Sequence, residues 1–277
     1  MGAVDRSQVR PSDIAGTWYP GGPEELRSTI ERYLAGVEHK ELEGELVGLI
    51  APHAGYVYSG QVAAHAYKQL EGRDFDLVAL ISPIHRMYMG AYTVTTYRYY
   101  ETPLGLVPVA TDVVDRLGED LRLVRVQRDA EHSLEIQLPF LQYLLGEFRL
   151  VPVMLGDQDW DCCQRLASAL VPLLTGQKAL LVASTDLSHF HPYDRAVQLD
   201  QRVLEHIENF DARGLSDDLA ARRCEACGGG PVIAVMLAAR GMGADRGWVL
   251  RYANSGDVTG DRSQVVGYVA AGLYRTP

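Results

Sequence analysis

The chain has 277 residues, 47% of them apolar, with a formal net charge of −10 and four cysteines. A chain of this length buries a full core, and its composition excludes a disordered class. The acidic balance, with no basic cluster longer than Arg222-Arg223, argues against nucleic acid or an anionic membrane surface as the main partner. No apolar run approaches the roughly 18 residues of a membrane span. Met1 to Ser12 is polar and charged rather than a secretion signal. The cysteines are therefore expected to be reduced, in a cytoplasmic protein.

In chain order, Pro23–Ala35 reads as a helix and Leu46–Ile50 as a strand. The Pro-, Gly-, His- and Tyr-rich run Ala51–Gly60 follows, with Ser59 placed as the cap of a helix over Gln61–Leu70. Leu77–Ile81 and Ala179–Ala183 are continuous apolar runs, which suits strands buried on both faces. Thr93–Val109, rich in Tyr, Thr and Val, reads as a small antiparallel excursion, and Leu121–Val126 as a strand. Pro139 interrupts a helical pattern over Ser133–Leu145 and implies a kink or a later start. Strand Leu150–Leu155 and helices Asp159–Leu174, Arg195–Phe210 and Pro231–Arg240 continue the alternation. Trp248–Ala253 and Val265–Leu273 read as closing strands joined by the Gly/Asp-rich turn Asn254–Asp261. With no repeat or linker in view, the pattern predicts a single domain over 1–277, an α/β/α sandwich around a central mixed β-sheet.

His53, His85 and His189 each lie a few residues beyond a buried-strand pattern. Residues that follow parallel strands converge at one sheet edge, so histidines far apart in sequence can share a cleft. Imidazole is the commonest protein ligand for Fe, Zn and Cu, and such sites use carboxylates to fix the ring; Asp186 and Glu131 are available. Cys227, in Cys224-Glu225-Ala226-Cys227-Gly228-Gly229-Gly230-Pro231, precedes an expected helix start at Pro231, where the helix dipole favours a thiolate. The three glycines would let backbone approach a metal or anion. In Glu131-His132-Ser133-Leu134-Glu135, Ser133 is expected as a helix cap and Glu135 at the favourable dipole end, which leaves His132 to line the cleft.

Each residue also has a structural role open to it. A histidine after a strand often bonds only to backbone, and Cys-x-x-Cys at 224 and 227 fits a redox dithiol or half of a zinc site. Cys162 and Cys163 fit packing on an amphipathic helix. His39 and His206 are expected to be solvated, His65 to pack on its helix, and His191 to sit in a turn beside Pro192.

Taken together and in order, Pro52-His53-Ala54-Gly55-Tyr56-x-Tyr58-Ser59-Gly60, Glu131-His132-Ser133-Leu134-Glu135, Ser184-Thr185-Asp186-Leu187-Ser188-His189 and Cys227-Gly228-x-x-Pro231 resemble the Memo family. Arg10-Pro11 and Ala15-Gly16-x-Trp18-Tyr19-Pro20 are similar to the opening of its prokaryotic members, described as protein B of a set with an AMMECR-domain protein and a radical SAM protein. The resemblance spans about 10–274 and implies those two proteins as partners. It also implies a fold related to class III extradiol (LigB-type) dioxygenases, in which two histidines and a carboxylate hold Fe(II). Carried over, His53 and His85 are the histidine ligands, Cys227 replaces the carboxylate, and His189 is the acid/base histidine, oriented by Asp186 and supported by His132. The resulting expectation is a non-haem oxidoreductase with Fe(II) or Cu, Zn being a third option for a site with a soft thiolate. The same cleft also suits a module that binds a small molecule, anion or peptide without turnover, as animal members of the family do with phosphotyrosine peptides. A metallohydrolase with a zinc-bound water is the third reading.

Overall fold

The computed structural model describes residues 4–38 and 42–277, so His39 lies outside the described residues. The first part of the chain forms β1 (Val9–Arg10), α1 (Pro23–Ala35), β2 (Glu45–Ala51), α2 (Tyr56–Tyr67), β3 (Leu77–Pro83), β4 (Tyr92–Thr95), β5 (Tyr99–Thr102) and β6 (Gly105–Pro108). Next come α3 (Thr111–Asp120), β7 (Leu123–Val126), α4 (Leu138–Leu145), β8 (Arg149–Leu155), α5 (Trp160–Leu174) and β9 (Ala179–Ser184). The last part forms β10 (Asp186–His191), α6 (Tyr193–Glu208), α7 (Ala212–Ala220), α8 (Gly229–Gly241), β11 (Arg246–Asn254), α9 (Ser255–Thr259) and β12 (Val265–Arg275).

Among the described residues, nine strands join in one mixed sheet in the order β10-β12-β2-β9-β3-β8-β4-β7, with β11 also paired to β12. Its centre, β2, β9, β3 and β8, is parallel. These strands are buried along nearly their whole length, as their continuous apolar sequences require when helices cover both faces. One helix group, α1, α2 and α4, packs together with α2 on β2 and β12; a second, α5, α7 and α8, packs with α8 across β9 and β3. The single α/β domain expected from the alternation is therefore present, with a large mixed sheet flanked by helices.

Local differences from the sequence reading have physical causes. Helix α2 starts at Tyr56 rather than Gln61, so Ser59 lies inside it and donates to the Ala54 carbonyl (2.8 Å) instead of capping. Pro139 sits in the first turn of α4, behind a 3₁₀ turn at Glu135–Gln137, where its missing N–H costs nothing. This is the later start and not a kink. Helix α8 begins at Gly229, which places Pro231 inside its first turn and not at the first position. The expected excursion divides: β4 joins the main sheet, while β5 and β6 form a hairpin that pairs with β1. The Asn254–Asp261 turn contains α9, closed by an Asn254/Asp257 capping box. Helices α3 and α7 and strand β10 had no expectation in the sequence. No described helix is long and apolar enough to cross a membrane.

Candidate metal centre

Strands β2, β9 and β3 are neighbours in the parallel core, and their carboxyl ends release His53, Asp186 and His85 at the same edge. Adjacency in the sheet, not in sequence, brings the residues together. His53, His85 and Cys227 each present a ligand atom, and these atoms lie within 4.8 Å of one another. Cys227 Sγ is 3.1 Å from His53 Nε2, and the His53 and His85 rings meet edge-on, centroids 5.0 Å apart at 80°. Two donors on a tetrahedral ion at ordinary Zn–N and Zn–S lengths stand roughly 3.5 Å apart, so small side-chain adjustments suit this set to a soft or borderline cation.

A second group, His85, Glu131 and His132, is also within 4.8 Å. Here His85 and His132 are stacked, 4.9 Å between centroids at 25°. Imidazole donates in its own plane, so stacked rings cannot both aim at one ion without turning. The His53–His85–Cys227 set is the better-arranged one. Glu131 instead supports His85: its Oε1 accepts from the backbone N–H of His85 (2.9 Å) and Arg86 (2.7 Å). Its Oε2 is buried, has no hydrogen-bond partner among the described residues, and lies 3.6 Å from His85 Nδ1. That orphaned oxygen is placed for the carboxylate–histidine pairing typical of metal-bound imidazole. Burial pushes the Glu131 carboxyl up, but the His85 ring and the two N–H groups outweigh it and hold the group below its ordinary range.

Burial disfavours the charged form of His53, His132 and His189. Burial, and after it the neighbouring His85, His132 and His189, depress His53 well below the usual imidazole range. Burial with His85 beside it lowers His132 to about 4, and burial also lowers His189. Neutral imidazole is the form that ligates a cation. The thiolate expectation for Cys227 fails for the metal-free protein. Burial pushes its thiol well up, with Asp186 adding to the effect, and desolvation outweighs any pull from the helix end.

Asp186 has a different task from the one expected. Its carboxylate accepts from the His53 backbone N–H (2.8 Å), while His189 Nδ1 faces the Leu187 carbonyl (2.8 Å). Asp186 therefore fixes the His53 loop and does not orient His189. Burial raises its carboxyl to about 7, against the N–H groups of His53 and Ala54. His189 lies not in a loop but in β10, at an irregularity in the pairing with β12. The neighbouring Phe190 has φ +61° and is exposed, a strained backbone that re-aims the side chains at this edge. His189 and Cys227 both line a cleft of about 910 Å³ with Trp160, Leu187, Leu219 and Arg222.

The remaining candidates fall elsewhere. The His132 ring meets Trp18 at a tilt of 38° (centroids 4.2 Å apart) and lies 5.5 Å from that of His53, so it does line the cluster. Ser133 is not a cap: its hydroxyl donates to the Pro83 carbonyl (2.9 Å). Glu135 does open the 3₁₀ turn ahead of α4, but it is fully buried in an ion pair with Arg10 (2.6 Å). His191 contacts Glu225 (3.0 Å), and His206 lies between Asp211 (3.3 Å) and Asp218 (3.2 Å) instead of being solvated. Cys162 and Cys163 are buried on α5, as packing requires, and His65 is half-buried on α2.

The glycines after Cys227 are required by packing. A Cβ on Gly228 would stand 2.1 Å from the Ser184 carbonyl, and one on Gly230 would meet Gln158 at 2.7 Å. Gly228 N–H also donates to Thr185 Oγ1 (3.0 Å), so the Cys227 loop lies flat on the β9–β10 junction. Gly228→Ala is expected to destabilise the protein by about 3 kcal/mol and to weaken metal binding by displacing Cys227. Urea denaturation with parallel metal titration checks both. Unchanged stability would show that the junction yields.

A family model described as Memo-like protein matches residues 10–272. Proteins described as MEMO1 family proteins are similar along their whole length. That of Methanosarcina mazei is 37% identical over 267 residues, covering 95% of this chain and 98% of the relative. That of Sulfolobus acidocaldarius is 36% identical over 281 residues, with 95% and 98% covered. That of Nitrosopumilus maritimus is 33% identical over 271 residues, again with 95% and 98% covered.

Proposed function

Because the chain belongs to the Memo-like family and gathers His53, His85 and Cys227 at its sheet edge, we propose that it is a metal-dependent, dioxygenase-like oxidoreductase. The observation that carries the reading is the convergence of two imidazoles and one thiol from three separate segments, with a buried carboxylate behind one of the rings. The donor set fits Fe(II) or Cu, with Zn as the third option. When bound, the ion supplies Lewis-acid or redox chemistry that no side chain here has. His53 and His85 present nitrogens, and Cys227 presents sulfur after losing its proton. His189, neutral and on the wall of the 910 Å³ cleft, is the group to take or return a proton from a substrate there. His132, lowered to about 4, stays uncharged and limits water at the back of the cluster together with Trp18. Relation to the extradiol dioxygenases and partnership with an AMMECR-domain and a radical SAM protein belong to the same proposal.

Protein purified anaerobically is expected to carry Fe or Cu by elemental analysis, with anomalous scattering between His53, His85 and Cys227. Metal-free protein that takes up none of Fe(II), Cu(I) or Zn(II) would sink the reading. One observation favours a second: Tyr58, Tyr88 and Phe190 are exposed, and exposed aromatics suit recognition of a peptide or planar ligand. If the cleft only binds, such ligands stabilise metal-free protein in a thermal-shift screen and undergo no turnover with metal added.

A further inference from the structure

The ring of His53 has two nitrogens, and only the one without a proton can accept a cation. Nε2 lies on the Cys227 side, 3.1 Å from Sγ, and Nδ1 is 2.9 Å from the hydroxyl of Ser184. Which nitrogen carries the proton follows from the other contacts of that hydroxyl.

Ser184 Oγ is 2.6 Å from the Ser133 carbonyl and 2.8 Å from the amide nitrogen of Gln137. A carbonyl only accepts, so at 2.6 Å the single serine proton lies between Ser184 and Ser133. The Gln137 amide has one orientation. Its nitrogen is 3.0 Å from the Pro52 carbonyl, and its oxygen accepts from Tyr67 OH (2.7 Å). A flipped amide would set oxygen against the Pro52 carbonyl. Gln137 therefore donates to Ser184 and fills one of its two lone pairs. With its proton committed to Ser133, Ser184 can only accept from His53. Ser184, Ser133 and Gln137 are all buried, so no solvent competes for these bonds.

We infer that Ser184 is a positioning residue that fixes His53 as the Nδ1–H tautomer and leaves the Nε2 lone pair facing Cys227 and His85. The chain of donors runs from Tyr67 through Gln137 to Ser184, all outside the cluster. Each link is a bond that the next group cannot reverse. The consequence for metal affinity rests on His53 being a ligand, whereas the proton's position is a property of the metal-free protein.

The experiment is a long-range ¹H–¹⁵N correlation spectrum of metal-free protein labelled with ¹⁵N-histidine, with His53 assigned by its loss in His53→Gln. Wild type is expected to show Nδ1 protonated and Nε2 bare. Ser184→Ala, its fold checked by circular dichroism, is expected to show mixed tautomers and to bind Zn(II) about 10- to 100-fold more weakly, the usual range for loss of such a partner. A wild-type His53 protonated on Nε2 overturns the inference whether or not the variant folds. So does a folded Ser184→Ala that keeps the Nδ1–H tautomer and the parent affinity. Wild type that binds no metal but shows the Nδ1–H tautomer would defeat the proposed function and leave this inference standing.

Discussion

Cys227→Ser and His53→Ala should each lower affinity for Zn(II) or Fe(II) by at least about 100-fold, because loss of a direct ligand exceeds the usual effect of losing an outer partner. The two differ in pH dependence. Burial holds the Cys227 thiol well above its ordinary value, so it is protonated in the metal-free protein at neutral pH. An ion that takes the thiolate must expel that proton, whereas His53, depressed by burial, is already neutral. Apparent affinity in the parent protein is therefore expected to rise about tenfold per pH unit between roughly pH 6 and 8, and to fall as the pH is lowered. The serine hydroxyl is far less acidic than a thiol and keeps its proton, so Cys227→Ser flattens that slope. Isothermal titration in two buffers of different ionisation enthalpy counts the proton directly. Full affinity in both variants, or a flat profile in the parent, would remove Cys227 from the ligand set.

The largest stability effect is expected at Arg10. Its guanidinium is 3% exposed and pairs with Asp129 (2.7 Å) and Glu135 (2.6 Å), while Glu135 also accepts from Ser12 (2.6 Å) and Tyr19 (2.8 Å). These bonds fasten the N-terminal arm over the Glu131–Glu135 segment. Arg10→Ala leaves two carboxylates buried without their cation, a loss of about 3–5 kcal/mol. For a chain of this size that corresponds to a melting temperature lower by about 10 °C. Arg125→Ala is the control: its pair with Asp115 is exposed on both sides, and melting is expected to stay near the parent value. Calorimetry that shows equal melting for the two variants would mean that the buried network relaxes or admits water.

Both predictions show where sequence reading succeeds and where it stops. His53, His85 and Cys227 stood out because Pro, Gly and Ser punctuate the chain beside strands whose apolar runs are hard to mistake. The meeting of His53 and His85 followed from the rule that parallel strands empty onto one edge, whereas Cys227 arrives from the loop between α7 and α8. Arg10 and Glu135 were visible only as motif letters. An Arg and a Glu 125 residues apart carry no local signal that they will meet, so Glu135 was read as a helix-dipole residue. The partner of Asp186 is hidden for a similar reason. Sequence proximity joined it to His189, whereas strand pairing puts β9 beside β2 and turns its carboxylate to His53. Ser184 and Gln137 have no role legible in the sequence, because a tautomer depends on which atoms meet.

By itself, the sequence determined the alternation of elements, the buried central strands, the family and the residues with metal-binding chemistry. Periodicity, turn residues and side-chain type are local properties, and they survive without coordinates. The tertiary structure alone decided which carboxylate serves which histidine, that the Cys227 sulfur is buried, and how the rings of two overlapping candidate triads are turned. Those outcomes depend on burial and on the angles between rings, and both arise only when strands distant in sequence pack side by side.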